Sequence, residues 1–148
     1  MENLLLENDN MDSPKFITVC SFSHFFWGFI FLIVMKHLYS KMSFIFIFFL
    51  YLVIHTIYEI KDTLCYFGIN IISNKESNNY FMNNSYLNSI GDTIFALLGV
   101  YTGSLYLKNK NNIYLQIFIF IPFLLSCLCA LKILKEVNIL VKESFVKK

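Results

Sequence analysis

Residues 44–54 read FIFIFFLYLVI, and HTIYEIKD follows at residues 55–62. The aromatic and β-branched residues of the first stretch would suit a strand in water. In lipid, however, an open strand leaves its backbone groups unsatisfied, whereas a helix satisfies its own. A helix rises about 1.5 Å per residue and needs roughly 20 apolar residues to cross a bilayer. The run from Ser43 to about Phe67 therefore predicts a transmembrane helix that carries polar side chains near its end.

The composition extends this prediction to the whole chain. Of its 148 residues 57% are hydrophobic and 15% are charged, whereas soluble domains average roughly 45–50% apolar and about 25% charged residues. A single domain of this length could not bury so much apolar surface in water. Three further stretches reach membrane length: Phe16 to Met35, Leu87 to Leu107 and Ile113 to Leu131. These features predict an all-α polytopic membrane protein, a bundle of about four transmembrane helices.

Two tails flank the predicted transmembrane domain of residues 16–131. Residues 1–15 are acidic, which argues against a cleaved secretory signal. Residues 132–148 are basic and amphipathic, which favours a helix lying on anionic lipid. A simple extension of the fourth span is the alternative. Half of the lysines belong to membrane flanks, so the sequence does not indicate nucleic-acid binding.

The orientation of the chain is ambiguous from charge alone. Lys36, Lys41, Lys108 and Lys110 flank the two short loops, which by the positive-inside rule favours those loops in the cytoplasm. Five lysines in the C-terminal tail argue for the opposite face, unless the fourth segment re-enters or the topology is reversed. The Asn-rich loop carries one sequon, and Asn83 would be a glycosylation acceptor only if that loop were lumenal in a eukaryotic host.

Ionisable side chains inside the spans are costly and indicate a functional site. Counting helical rise from the face of the N-terminus places His24, Glu59 and Asp92 roughly 7–12 Å deep, at one level of three antiparallel helices. On the second helix His55, Glu59 and Asp62 share one stripe, and on the third Asn88 lies one turn from Asp92. The sequence thus predicts an intramembrane polar pocket that opens toward the Asn-rich loop. Its predicted members are His24, His55, Glu59, Asp62, Asn88 and Asp92.

Three segments around these residues also carry a family pattern. They are SHFFWGF at residues 23–29, HTIYEIKDT at residues 55–63 and NSYLNSIGDTIFALLG at residues 84–99. In order and spacing they resemble the SHxxHG, ExxWExxEN and GDSxxNSxxD motifs of an uncharacterised bacterial integral-membrane family related to the VanZ-like proteins. In this resemblance His24, Glu59 and Asp92 keep family positions, whereas Trp27 and His55 replace a histidine and a glutamate. The resemblance implies a shared fold and pocket, and it points loosely toward the cell envelope.

Several functions are compatible with such a pocket. It could bind a lipid headgroup or a lipid-linked envelope precursor, or it could relay protons. Alternatively, Glu59 and Asp92 could be the general acid and base of a membrane-embedded enzyme acting on lipid. His24, His55, Glu59 and Asp92 are also acceptable ligands for a divalent metal ion. In a purely structural interpretation, the polar side chains only pair with one another and hold the helices in register.

Small residues and cysteines provide further predictions. Gly99 and Gly103 form a GxxxG pattern, and Gly28 could likewise admit a neighbouring helix. Packing inside the bundle is the favoured use of these glycines, and homo-oligomerisation is the alternative. The cysteines are expected to be free thiols, although Cys20 and Cys65 could form a disulfide if their face were oxidising.

Overall fold

The computed structural model describes residues 15–66 and 85–146. These residues form four helices: α1 (Ser21–Leu38), α2 (Phe44–Tyr66), α3 (Tyr86–Lys108) and α4 (Ile113–Val146). Each of the four contains a segment long and apolar enough to cross a membrane. The expected fold class is therefore confirmed: the described part of the chain is an all-helical bundle of the polytopic membrane type. The sequon and most of the Asn-rich loop lie outside the described residues.

The helix boundaries agree with the predicted spans except at two ends. The first helix begins at Ser21, five residues after the predicted start at Phe16. Before it lies a turn, in which the Ser21 hydroxyl accepts the Thr18 N–H at 3.1 Å and the Ser21 N–H donates to the Thr18 carbonyl. Helix α3 begins where predicted, because the Ser85 side chain caps it by accepting the Asn88 N–H at 3.2 Å.

The second difference is the length of α4. This helix has 34 residues, a length of about 51 Å, which exceeds the roughly 40–45 Å of a bilayer with its headgroup regions. Its backbone stays helical across the predicted boundary at residue 132. Residues 132–146 thus continue the fourth helix without a break.

Helices α1 and α3 pack closely at the centre of the bundle, with α2 against α3 and α4 against α1. Glycines make the close approach possible. A methyl group at Gly99 would overlap the carbonyl oxygen of Phe25, and one at Gly28 would overlap that of Ala96. Gly99 and Gly103 both face α1, so within the chain the GxxxG pattern forms a contact between two helices of one bundle.

The buried core is small, and much of the apolar surface faces outward. Leu32, Ile47, Tyr51, Ala96 and Val100 form the core cluster where α1, α2 and α3 meet. Large side chains on the outer faces remain exposed, among them Ile45, Phe118 and Leu128. Such a surface suits lipid rather than water as the surrounding solvent.

A disulfide joins Cys20, just before α1, to Cys129 in α4. The expectation of free thiols is wrong for these two residues, and the bond considered between Cys20 and Cys65 is not the one that forms. Cys127 is free and exposed. Residues 127 and 129 point in nearly opposite directions on a helix, so only Cys129 can reach α1. Sequence spacing could not reveal this pair, because it depends on which helix packs against α1.

Candidate functional site: a buried histidine and carboxylate cluster

Four ionisable side chains from three helices meet near the end of the bundle that carries the disulfide. His24 lies on α1, His55 and Glu59 on α2, and Asp92 on α3. The distance from His24 Nδ1 to His55 Nε2 is 3.0 Å. Glu59 Oε1 lies 3.6 Å from each of these two nitrogens. We call these four residues the histidine–carboxylate cluster.

The remaining ring nitrogens of the two histidines also have polar neighbours. His24 Nε2 lies 3.4 Å from Asp92 Oδ2. His55 Nδ1 lies 3.4 Å from the hydroxyl oxygen of Thr93, and that hydroxyl is also 2.8 Å from the Ser89 carbonyl oxygen. Each imidazole therefore turns one nitrogen toward the other histidine and Glu59, and its second nitrogen toward α3.

The position of each residue in its helix explains why the four side chains meet. His24 is three residues from the start of α1, Asp92 is six residues from the start of α3, and Glu59 is seven residues from the end of α2. At about 1.5 Å per residue these offsets are about 5–10 Å. His55 is one turn deeper on the stripe of Glu59. The structure places the four side chains together, as the depth count predicts.

The two other predicted pocket residues lie in different surroundings. Asp62 Oδ1 is 2.8 Å from Lys61 Nζ, so the charge of this acid is balanced next to it on α2. Asn88 is 2% exposed, and it lies one turn from Asp92, toward the start of α3. Among the described residues, no group accepts a hydrogen bond from Asn88 Nδ2. We place Asn88 beside the cluster and Asp62 at its edge.

The cluster is buried but reaches the surface at one residue. The side chains of Glu59 and His55 are each 5% exposed and that of Asp92 is 2% exposed, whereas the His24 side chain is 17% exposed. The Tyr58 ring lies 6.2 Å from the His24 ring, and Trp27, largely exposed, follows one turn later on α1. The His24 edge is thus the accessible side of the cluster.

Sequence reasoning did not identify Thr93 as part of this site. Its hydroxyl is the only feature that distinguishes it from the apolar residues nearby, and hydroxyls in membrane helices commonly bond to their own backbone. In the sequence, the feature that could indicate a role for Thr93 is its position directly after Asp92. Two adjacent residues on a helix diverge by about 100°, which here lets them contact two different histidines.

Comparison of the chain with known protein families, with curated proteins and with solved structures gave no match. The resemblance to the VanZ-like proteins stays a prediction.

Proposed function

We propose that this polytopic membrane protein binds the polar headgroup of a lipid, or of a lipid-linked envelope precursor, at the histidine–carboxylate cluster. The observation that carries the proposal is the convergence of His24, His55, Glu59 and Asp92 from three helices. Buried ionisable groups are expensive within a bilayer and mark binding sites or ion pathways by default.

Depth and access favour a lipid over a water-soluble ligand. Helices α1 and α3 have 18 and 23 residues, lengths of about 27 and 35 Å that are close to the roughly 30 Å of the hydrocarbon core. A cluster about 5–10 Å inside their ends would therefore lie just below the headgroup region, where the polar end of a lipid could reach it. Its accessible edge, at His24, is on a helix whose outer surface is apolar. Trp27 on that surface is of the residue type that prefers the membrane interface.

The site offers complementary groups for a headgroup. Glu59 and Asp92 can accept hydrogen bonds from sugar hydroxyls or an ammonium group, and Asn88 Nδ2 can donate to a phosphate or carbonyl oxygen. Burying an amide donor without an acceptor costs about 1–3 kcal/mol. A ligand oxygen next to Asn88 would recover this cost.

Lipid binding by the full chain tests the proposal. The purified protein would be titrated in detergent with phosphatidylethanolamine, phosphatidylglycerol and a polyprenyl phosphate, and bound lipid would be counted by native mass spectrometry. We expect saturable binding of at least one of these lipids, weakened about tenfold or more by Glu59→Gln or His24→Ala, since a hydrogen bond to a charged group contributes about 1.5–3 kcal/mol.

The matched control is His37→Ala, because His37 is an exposed histidine at the opposite end of the same helix. This variant should bind lipid like the parent. Equal binding by the parent, His24→Ala and Glu59→Gln, all monodisperse and helical, would contradict the headgroup proposal. Loss of folded protein in both cluster variants, with no lipid bound by the parent, would instead favour the structural interpretation.

A further inference from the structure

Three ligand atoms in the cluster have the spacing of a metal coordination sphere. His24 Nδ1, His55 Nε2 and Glu59 Oε1 form a triangle with sides of 3.0, 3.6 and 3.6 Å. In a tetrahedral zinc site with bonds of about 2.0–2.1 Å, neighbouring ligand atoms are about 3.3–3.4 Å apart. The triangle therefore needs shifts of only a few tenths of an ångström to hold such an ion.

The polar groups behind this triangle are those that metal sites use. A metal-bound histidine almost always bonds through its second nitrogen to a carboxylate, a carbonyl, or water, and this contact fixes the ring. Here His24 Nε2 faces Asp92 at 3.4 Å, and His55 Nδ1 faces Thr93 at 3.4 Å. Two residues of α3 thus fix the orientation of both rings, whereas the three ligand atoms belong to residues of α1 and α2.

We propose that His24, His55 and Glu59 bind one divalent transition-metal ion, with Zn²⁺ as the ion that this donor set fits best. Two imidazoles and one carboxylate are the ligands of several zinc sites that keep a fourth position open. Asp92 and Thr93 are positioning residues that hold the two imidazoles. Of the four metal-ligand candidates in the sequence, Asp92 is thus assigned an indirect role.

The carboxylate charges of the cluster give the proposed ion a role in binding a headgroup. This inference rests on the function proposed above. Glu59 and Asp92 would repel a phosphate, and the sequence has no arginine. The nearest described lysine along α2, Lys61, is already paired with Asp62. A divalent ion would offset the two carboxylate charges and present its open position to a phosphate or hydroxyl oxygen.

Binding of Zn²⁺ and Co²⁺ to the full chain in detergent tests the metal proposal directly. We expect one ion per chain by elemental analysis after removal of excess metal. His24→Ala, His55→Ala and Glu59→Gln should each lose the bound ion, whereas His37→Ala should keep it. Asp92→Asn and Thr93→Val should still bind but about 10–100-fold more weakly, as expected when an outer contact of a ligand is removed.

Folding is checked separately, since ligand variants could unfold the bundle. In His24→Cys the sulfur takes nearly the position of Nδ1, the ring nitrogen closer to the backbone, so this variant should retain the ion and add a thiolate-to-cobalt charge-transfer band to the Co²⁺ spectrum. The metal proposal is wrong if the parent retains no more ion than the His24→Ala variant, with both monodisperse and helical. It is equally wrong if His24→Cys binds Co²⁺ without the new band.

The two proposals can fail independently. Lipid titration of the metal-loaded and the chelator-treated parent separates them. Metal binding without lipid binding refutes the headgroup proposal alone. Lipid binding that chelation leaves unchanged, in a chain that holds no ion, refutes the metal proposal alone.

Discussion

At the scale of single residues, the two histidines define the chemistry of the site. The 3.0 Å contact between His24 Nδ1 and His55 Nε2 requires one nitrogen to donate and the other to accept. A metal ion bound between them needs both of these nitrogens deprotonated, so the proton of this contact must leave. Protons and the proposed ion therefore compete for these two nitrogens, and binding of the ion should weaken as the pH falls.

This competition can be measured as a pH series of Zn²⁺ affinity. We expect the affinity to fall as the pH is lowered, because protons then compete with the ion for the imidazole nitrogens and the Glu59 carboxylate. The Thr93→Val variant should show the same dependence at lower affinity. If the affinity does not fall at any acidic pH at which the chain stays folded, the ion does not bind through histidine.

Thr93 also allows a test of stability that does not involve any ligand. Its hydroxyl contacts both His55 and the Ser89 carbonyl. Thr93→Val keeps the shape but removes these contacts, and we expect a loss of about 1 kcal/mol in the free energy of unfolding. Thr93→Ser should be close to the parent. Ser104→Ala, which removes an exposed hydroxyl bonded to the Tyr101 carbonyl, is the control and should change little.

At the scale of helices, the contact between α1 and α3 sets the geometry of the cluster, because it fixes His24 relative to Asp92. A methyl group at Gly99 would overlap a backbone oxygen of α1, whereas one at Gly103 would lie 3.0 Å from Leu32 Cδ2, the end of a flexible side chain. Replacing glycine by alanine inside a helix otherwise contributes about 1 kcal/mol of stability. The two glycines should therefore respond differently to the same change.

We expect Gly99→Ala to lower the free energy of unfolding by about 2 kcal/mol, within the range typical of overpacking. Gly103→Ala should cost much less, since the added methyl group would lie 3.3 Å from the Phe29 carbonyl oxygen, without overlapping it, and the Leu32 side chain can shift. Unfolding by a denaturing detergent, followed by circular dichroism, measures both. Equal effects of the two substitutions would show that the two helices do not approach each other as described.

The helices also show where sequence reasoning succeeds and where it stops. Membrane spans follow from the length of apolar runs, and the level of the cluster follows from helical rise, so both could be predicted. The start of α1 could not, because Phe16 to Cys20 are apolar enough for a helix and only the Ser21 turn excludes them. The pairing of Asp62 with Lys61 and the contact of Thr93 with His55 depend on rotamers and tertiary packing, which no spacing rule contains.

At the scale of the whole molecule, two independent features indicate which end of the bundle faces an oxidising compartment. The disulfide between Cys20 and Cys129 lies at the end that carries the cluster. The lysine-flanked short loops lie at the other end, where Lys36 Nζ donates to the Met42 carbonyl at 2.6 Å. Disulfides persist in oxidising compartments, and positively charged short loops favour the cytoplasm. Both features predict the cluster on the side away from the cytoplasm, and the disulfide thereby favours one of the two orientations that the lysines of the short loops and of the C-terminal tail leave open.

Thiol accessibility in whole cells tests this orientation. A membrane-impermeant maleimide should fail to label Ser40→Cys, in the loop between α1 and α2, until the membrane is permeabilised. Cys65 and Cys127 would be replaced in this variant and the Cys20–Cys129 disulfide would be kept, so that the label reports residue 40 alone. Labelling of residue 40 in intact cells would show that the topology is the opposite of the predicted one.

The disulfide itself should contribute strongly to stability. It closes a loop of 109 residues, for which loop entropy gives about 4–5 kcal/mol and engineered or removed disulfides typically give about 2–5 kcal/mol. We expect Cys129→Ser to lower the free energy of unfolding by about 2–5 kcal/mol, seen as a lower midpoint of unfolding in denaturing detergent. Cys127→Ser, which changes an exposed cysteine nearby on the same helix, should leave the midpoint unchanged. A midpoint insensitive to Cys129→Ser and to reductant would contradict the bond.

Zinc-edge X-ray absorption of the metal-loaded full chain tests whether His24 of α1 and His55 and Glu59 of α2 build one metal site, with both imidazoles held from α3. We expect two imidazole nitrogens and one carboxylate oxygen at about 2.0–2.2 Å from the ion, with the scattering pattern of two histidine rings. His24→Ala should remove one ring from that pattern or abolish binding. A spectrum with sulfur at about 2.3 Å, or with oxygen ligands alone, would contradict the account, because the ion would then be bound elsewhere.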